Sequence, residues 1–450
     1  GFEIYDSNGQ KISMTFSYPT PTTIDTFYTN SEGYLITPEV LPYGEYSLVE
    51  VQAPYGYALD KTPVAFSVSL ENAEKENSLT IVKVEKQNTA QKGRISVQKT
   101  GDIFTSVNMA SSAYTDENGE LVVNSTTYTP VFADGDLSGA VFQVIAVEDI
   151  VTLDGTTRAY AGDVVSEITT DENGYAETEP LYLGKYEVRE IKAPDGYVLN
   201  NEPKDVEVTY AGQEFEVRDT VNTAFENEYQ GVRISLSKVM ENDELFGIYG
   251  KDYYTSVRFG LFAAEDITAA DGSVIPADGL LSEVSLDENM TAKFDVQIPF
   301  GRYYVKEIST DEHYVLGGEK YLVNFEYMGQ DIRTVDIDCG QFVNLLKRGR
   351  IEGHKVDDKS EPLENAVFGL FTADCVKFSR DTAIMTAVSD ENGFFEFDDV
   401  PFGKYIVREI ESPRGYILSD KEYTVSISED GEVIEITAEN KPITVEISKR

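Results

Sequence analysis

Four times along this chain the same alternation returns, and each time it closes on an acid. The stretches "GEYSLVE", "GKYEVRE", "GRYYVKE" and "GKYIVRE" place Tyr46, Leu48 and Glu50, then Tyr186, Val188 and Glu190, then Tyr303, Val305 and Glu307, then Tyr405, Val407 and Glu409 at every second position. Alternate residues of a β-strand share a face. Each glutamate therefore points where a tyrosine and an aliphatic residue point, into a core. An isolated buried carboxylate costs many kcal/mol unless it is paired or neutralised. The chain must be built from repeated half-buried strands, and each repeat needs something to receive its acid.

The rest of the repeat is readable around this box. A turn precedes it, "TNSEG", "TTDENG", "SLDENM" or "VSDENG", and further upstream lies a strand such as "GAVFQVIAVEDI", "VRFGLFAAEDI" or "NAVFGLFTADC", with "GFEIYDSNG" as the first equivalent. Downstream comes a strand ending at Asn88, Asn227, Asn344 or Asn440, then one carrying Lys99, Lys238 or Lys355. Short strands punctuated by Gly, Asn and Asp turns, with no long helical period, indicate an all-β fold of tandem β-sandwiches in an elongated array. The expected modules are 1–92, 93–230, 231–348 and 349–441, with 442–450 starting a following strand. An insertion near 100–137, including "SSAYTDENGELVV", is expected to form an extra hairpin. The "DENG" runs lack the full ligand spacing of a calcium loop and read as hairpin turns.

Parity brings two more polar groups inward. Ile95 and Val97 share a face with Lys99, Ile234 and Leu236 with Lys238, Phe225 with Asn227, and Ile434, Ile436 and Ala438 with Asn440. From each Asn to the next Lys the spacing is constant at 11 positions, as in Asn88 to Lys99, Asn227 to Lys238 and Asn344 to Lys355. One reading is a buried Lys–Glu ion pair beside a hydrogen-bonded Asn. The other is chemistry. Burial drives a lysine toward the neutral amine and a glutamate toward the protonated acid. The amine is a nucleophile, and the acid can polarise the carboxamide and shuttle protons.

These features together resemble tandem Cna B-type or SpaA-type (prealbumin-like) modules of Gram-positive surface adhesins and pilins. The box "Y-x-[LV]-x-E-x-x-[AS]-P-x-G-Y", the Lys and the Asn carry the resemblance over nearly the whole chain. It implies immunoglobulin-like sandwiches, each closed by a self-catalysed intramolecular isopeptide bond: Lys99–Asn227 with Glu190, Lys238–Asn344 with Glu307, and Lys355–Asn440 with Glu409. It also implies an extracellular, wall-anchored location, and a role as a structural stalk or pilus-like shaft partnered by adjacent modules of a longer chain or by neighbouring copies. The third box, "EISTDEHYVL", lacks the Pro and Gly, which puts its loop in doubt. In the first module Glu50 and Asn88 have no lysine at the matching position, since Lys11 follows the first turn. That lysine is expected before Gly1. Lys449 resembles a further lysine of the series, at a spacing of 9 from Asn440.

Composition excludes other classes. A net charge of −43 repels nucleic-acid phosphate and anionic membrane surfaces. No apolar run is long enough to insert in a membrane. Two cysteines, Cys339 and Cys375, make no disulfide framework, and two histidines argue against a metal centre, leaving His313 as a loop side chain. No Ser–His–acid set, metal cluster or phosphate loop points to an enzyme acting on another molecule, and no cofactor is implied. The alternative function is a ligand-binding adhesin that recognises host matrix or glycan through the insertion or an inter-module groove.

Overall fold

The computed structural model describes residues 1–17, 19–76, 79–115 and 121–449. It is all-β, and the only helix among the described residues is the short 3-10 turn Lys251–Tyr254. Contacts divide the chain into two compact units. One comprises Gly1–Ile103, Ala133–Gln230 and Met328–Arg333; the other comprises Phe104–Phe132, Gly231–Tyr327 and Thr334–Arg450.

In the first unit the second repeat shows the plan. The box strand Gly184–Lys192 sits in a four-stranded sheet with Val164–Thr169, Val141–Ala146 and Lys204–Val208. Facing it, the opening strand Ile95–Thr115 runs antiparallel to Tyr175–Glu177 and parallel to the closing strand Val221–Asn227. The inward residues of both sheets, among them Ile95, Val97, Phe142, Val144, Val188 and Phe225, form one core. Each such side chain contributes about 1.5–3 kcal/mol by leaving water. The box tyrosine is tied as well as buried: Tyr186 Oη donates to the Tyr182 carbonyl at 2.6 Å. The same bond to the carbonyl four residues upstream is made by Tyr46, Tyr303 and Tyr405.

The second unit holds the same plan twice. Gly301–Ser309 lies in a sheet with Leu280–Ser285, Arg258–Ala263 and Tyr321–Phe325, and Gly403–Glu411 in one with Met385–Val388, Val367–Thr372 and Glu422–Ile427. The opening strands Gly231–Met240 and Arg348–Asp357 again lie between an antiparallel neighbour and a parallel closing strand, Thr334–Asn344 or Val433–Asn440.

The insertion forms two long neighbouring strands, Ile95–Thr115 and Leu121–Asp136, so the extra hairpin is an extension of the opening strand itself. Residues 116–120, within the quoted "SSAYTDENGELVV", lie outside the described residues. In the second unit the Phe104 and Thr105 carbonyls accept from Ala270 and Asp271, and the Val107 N–H donates to Ser273 Oγ.

The acidic turns are closed by their own side chains. Asp171 Oδ1 accepts from the Asn173 and Tyr175 N–H groups at 2.9 Å each, and the same bonds recur at Asp287 and Asp390. Cys339 is buried and Cys375 partly buried, both as free thiols.

Two expected strands are not formed. Residues 82–88, which end at Asn88, and residues 443–449, which carry Lys449, alternate in sequence but lie outside any strand. Alternation prepares a segment for a sheet, but strand structure needs a neighbour to complete its hydrogen bonds. Lys11 likewise makes only an isolated bridge to Tyr5, its ammonium pairing with Glu3 and Asp25.

Candidate functional site

Three lysine–glutamate–asparagine clusters lie inside the sandwiches. Lys99, Glu190, Asn227, Lys238, Glu307, Asn344, Lys355, Glu409 and Asn440 are all at most 3% exposed. Each lysine comes from the centre strand of one sheet, each asparagine from its parallel neighbour, and each glutamate from the facing sheet. Register sets the offset: Lys99 is level with Phe225, Lys238 with Phe342 and Lys355 with Ala438, so each asparagine lies two residues further along. The Lys99 and Lys355 N–H groups are pinned at 2.7 Å by the carbonyls of the turn glycines Gly174 and Gly393. Gly174 has φ +68°, and a Cβ there would lie 2.3 Å from the Lys99 carbonyl oxygen. In the third repeat Met290 takes this turn position, at φ 61°.

The fourth repeat has the tightest geometry. Lys355 Nζ donates to Asn440 Oδ1 at 2.6 Å and lies 3.6 Å from Glu409 Oε1. Asn440 Nδ2 donates to Glu409 Oε1 at 2.9 Å. In the third, Lys238 Nζ is 2.8 Å from Glu307 Oε1, and Asn344 Nδ2 donates to Glu307 Oε1 at 3.0 Å and to Thr310 Oγ1 at 2.8 Å. In the second, Lys99 Nζ is 3.9 Å from Glu190 Oε1, and Asn227 Nδ2 donates to that oxygen at 3.1 Å. There Lys99 Nζ and Asn227 Oδ1 are buried without a hydrogen-bond partner among the described residues. Buried polar atoms left unsatisfied cost about 1–3 kcal/mol each.

The second carboxylate oxygen is held alike everywhere. The N–H ten residues after each glutamate donates to Oε2: Asp60 to Glu50, Asn200 to Glu190, Gly317 to Glu307 and Ser419 to Glu409. Gly317 keeps that spacing, so the altered third box preserves its loop. His313 sits in that loop, its Nδ1 2.6 Å from Asp311 Oδ1. A phenylalanine stands opposite each acid in register, Phe142, Phe259 and Phe368 in these three repeats and Phe2 in the first.

Burial sets the protonation tendencies. It lowers the Lys99 ammonium to about 8 and raises the Glu190 carboxyl, against the attraction between them. Lys238 and Lys355 are lowered for the same reason. The clusters thus place an amine inclined to neutrality beside a carboxamide whose nitrogen donates to a buried acid.

The first repeat holds two of the three partners. Glu50 is 1% exposed, and Asn88 Nδ2 donates to both its oxygens, at 2.9 and 2.7 Å, and to the Ala58 carbonyl. Among the described residues no lysine or arginine pairs with Glu50. Lys86, which shares the inward face with Asn88, turns instead to Asp60 Oδ2 and the Thr62 carbonyl. Sequence reasoning missed this lysine, although its parity with Asn88 marks it. It also missed Thr310, the backbone donors to Oε2, and two buried glutamines. Gln91 and Gln230 each follow the asparagine by three positions. Each donates through Nε2 to two backbone carbonyls and accepts one N–H at Oε1, from 211–215 and 328–332 respectively. Lys449 is exposed and meets none of the clusters.

A family model for the SpaA prealbumin-like fold domain matches residues 1–83, 131–222 and 349–442, more than half of the chain. The trypsin-resistant surface T6 protein of Streptococcus pyogenes serotype M6 is 27% identical over 147 residues, covering 33% of this chain and 23% of that protein. The chain thus spans about a quarter of that curated relative's length. Among solved structures, the Bacillus anthracis TIE protein aligns over 98% of this chain and 66% of its own, with a TM-score of 0.53 at 20% identity. BcpA, the major pilin subunit of Bacillus cereus, aligns over 78% of this chain and 100% of its own, with a TM-score of 0.33 at 18% identity.

Proposed function

The chain belongs to the SpaA prealbumin-like fold domain family, and on that premise we propose that it is a structural segment of a Gram-positive surface adhesin or pilus-like fibre, built of four modules divided near residues 92, 230 and 348 and closed by self-formed Lys–Asn amide bonds. The observation that carries this reading is the fourth cluster, where Lys355 Nζ lies 2.6 Å from Asn440 Oδ1 while Asn440 Nδ2 donates to Glu409. Nucleophile, electrophile and proton carrier are in mutual reach, in a site that excludes water.

The chemistry balances within the cluster. The neutral lysine amine attacks the asparagine Cγ, and the glutamic acid, hydrogen-bonded to the carboxamide, donates a proton toward the developing tetrahedral centre. The amine's surplus proton passes to the glutamate and on to the departing nitrogen, so a C–N bond forms, the Cγ–Nδ2 bond breaks and ammonia leaves. Holding the groups on adjacent strands makes the step intramolecular, which supplies several kcal/mol of the barrier. In the second repeat the product would take up the orphaned Lys99 Nζ as an amide nitrogen, with Asn227 Oδ1 kept as the carbonyl oxygen of the new amide. The same bonds suit a surface location, where the relative named for trypsin resistance is described as a surface protein.

Intact-mass measurement tests the proposal. The expected mass is that of the sequence less three molecules of ammonia, with peptic fragments linking Lys99 to Asn227, Lys238 to Asn344 and Lys355 to Asn440. A mass equal to the unmodified sequence refutes the chemistry and leaves buried ion pairs.

A further inference from the structure

We propose that the inserted hairpin is a self-association edge, whose outer strand pairs antiparallel, about Met109, with the same strand of a second copy of this chain. The pairing is independent of the amide chemistry above.

Charge singles the hairpin out. The chain is 26% charged, yet residues 103–115 and 121–133 contain no Asp, Glu, Lys or Arg, where the chain's average would place about seven. Sheet edges are ordinarily guarded by charge, proline or brevity, because their outward N–H and C=O groups template further strands. Among the described residues the other edge strands conform. They carry a charged residue or, like Val64–Val68, Tyr321–Phe325 and Met385–Val388, run for at most five residues. From Ile103 to Thr115 the outer strand of the hairpin has neither guard, nor a proline.

The base of the hairpin is held and its far part is bare. Within the second unit Thr127 stands level with Leu280, the Thr105 carbonyl accepts from the Asp271 N–H, and the Val107 N–H donates to Ser273 Oγ. The hydroxyl pairs Ser111–Thr126 and Ser112–Ser125 tie the two strands at 3.0 and 2.8 Å. Beyond Gly101, Leu121–Asp136 is the only strand bonded to Ile95–Thr115 among the described residues. Asn108–Ser112 are all exposed, Met109 by 70%. A two-stranded ribbon is marginal by itself, and a third strand stabilises it. Backbone groups alternate in direction along a paired strand. The Thr105 carbonyl and Val107 N–H point away from the inner strand, so the N–H and C=O of Met109 and Ser111 do too.

These outward groups, with the charge, select the occupant. Two chains of net charge −43 repel wherever their acids face one another, and least where neither presents a charge. Met109 is the midpoint of the uncharged run 103–115. A second copy brought up about a two-fold axis there sets Met109 against Met109, Asn108 against Ala110 and Val107 against Ser111, with no like charges opposed. The two Met109 residues then exchange both N–H···O bonds, and the contact is isologous, so assembly closes at two copies. The sheet of one copy continues into that of the other.

The test uses the full chain in sedimentation equilibrium, with hydrogen exchange read at residues 108–112. The expected result is a doubling of mass with rising concentration, slowed exchange in that segment, and tighter association as salt rises, since salt screens the repulsion between acidic copies. An ion-paired interface would weaken instead. Met109→Glu should abolish the dimer, Met109→Lys should do the same, and an equimolar mixture of the two should restore it as a mixed dimer in native mass spectrometry. Ser125→Glu, on the exposed part of the inner strand, should leave dimerisation intact. A chain that stays monomeric at every concentration overturns the proposal, even where an added extended peptide protects 108–112, which would make the edge a peptide site. A dimer that survives Met109→Glu, or is lost equally in Ser125→Glu, overturns it as well.

Discussion

Replacing Asn440 by alanine removes the electrophile of the fourth cluster and leaves its ion pair in place. Lys355 and Asn440 are 85 residues apart in sequence. By the chain-entropy relation used for disulfides, a cross-link closing a loop of that length restrains the unfolded state by about 4.5 kcal/mol. The variant also loses the buried carboxamide's own contacts, worth about 1 kcal/mol. Lys355 keeps Glu409 at 3.6 Å and the Ala438 carbonyl at 3.3 Å, so no buried ammonium is stranded. A loss of about 5 kcal/mol in a domain of this size lowers its melting temperature by roughly 20–40 °C. Scanning calorimetry of the 450-residue chain should show one transition displaced by that amount, and intact mass should show one ammonia loss fewer. An unchanged ammonia deficit would refute Asn440 as the partner. A lost deficit with an unmoved transition would refute the claim that the cross-link governs stability.

Glu190→Ala, Glu307→Ala and Glu409→Ala should each retain one ammonia while keeping the sandwich folded; a variant with the full deficit would show that its glutamate is not the proton carrier. In Asn227→Ala, where Lys99 stays a free amine, stability should rise by about 3 kcal/mol between pH 8 and 10.5, because the unfolded lysine holds its proton across the window in which the folded one, lowered to about 8, has released it. Glu190, raised by burial, contributes the opposite slope, with stability falling as pH climbs from 4.5 through its folded value. Denaturant titrations of this variant with and without Lys99→Met isolate the lysine's part, and equal slopes in both would refute a buried ammonium. Met290→Gly should raise the melting temperature of the third repeat by several degrees, since it relieves a left-handed backbone at φ 61° worth about 1 kcal/mol; no gain in thermal unfolding would mean that the turn is held without strain.

Parity alone makes most of the site legible in the sequence. Glu190, Lys99 and Asn227 break an apolar alternation, and a period of two leaves no doubt which face a residue shares. Parity could not supply partners from other strands. That Lys99 stands level with Phe225 in a parallel pair, placing Asn227 two residues beyond, is a fact of register between segments far apart in sequence. The Gly317 N–H that receives Glu307 is a backbone group, invisible to any reading of side chains, which is why the loss of Pro and Gly from that box looked more serious than it is. Residues 82–88 and 443–449 mark the other limit. Val445 and Ile447 alternate as well as Ile95 and Val97 do, yet they are 80% and 89% exposed, because a pattern specifies a face and only a neighbour makes it a sheet.

The placement of the three clusters, taken with the constant 11-residue interval, gives the proposed bonds a mechanical meaning. Tension applied along the chain enters each repeat through its opening strand and leaves through its closing strand. These strands are parallel neighbours, so without a cross-link the load shears the hydrogen bonds between them and reaches every residue in between. With Lys238 bonded to Asn344, force arriving at Lys238 passes through the side-chain amide to Asn344 and onward to Lys355, which is bonded to Asn440. The loaded path is then a series of short backbone segments joined by amides, and the box strands, acidic turns and cores of the repeats lie outside it. Those parts are relieved of bearing tension and serve to hold lysine, glutamate and asparagine in register. On the proposed bonding, this accounts for why lysine and asparagine sit on the two strands that would carry the load, with the glutamate on the facing sheet, and why the interval between successive triads stays constant while the loops around them vary in length.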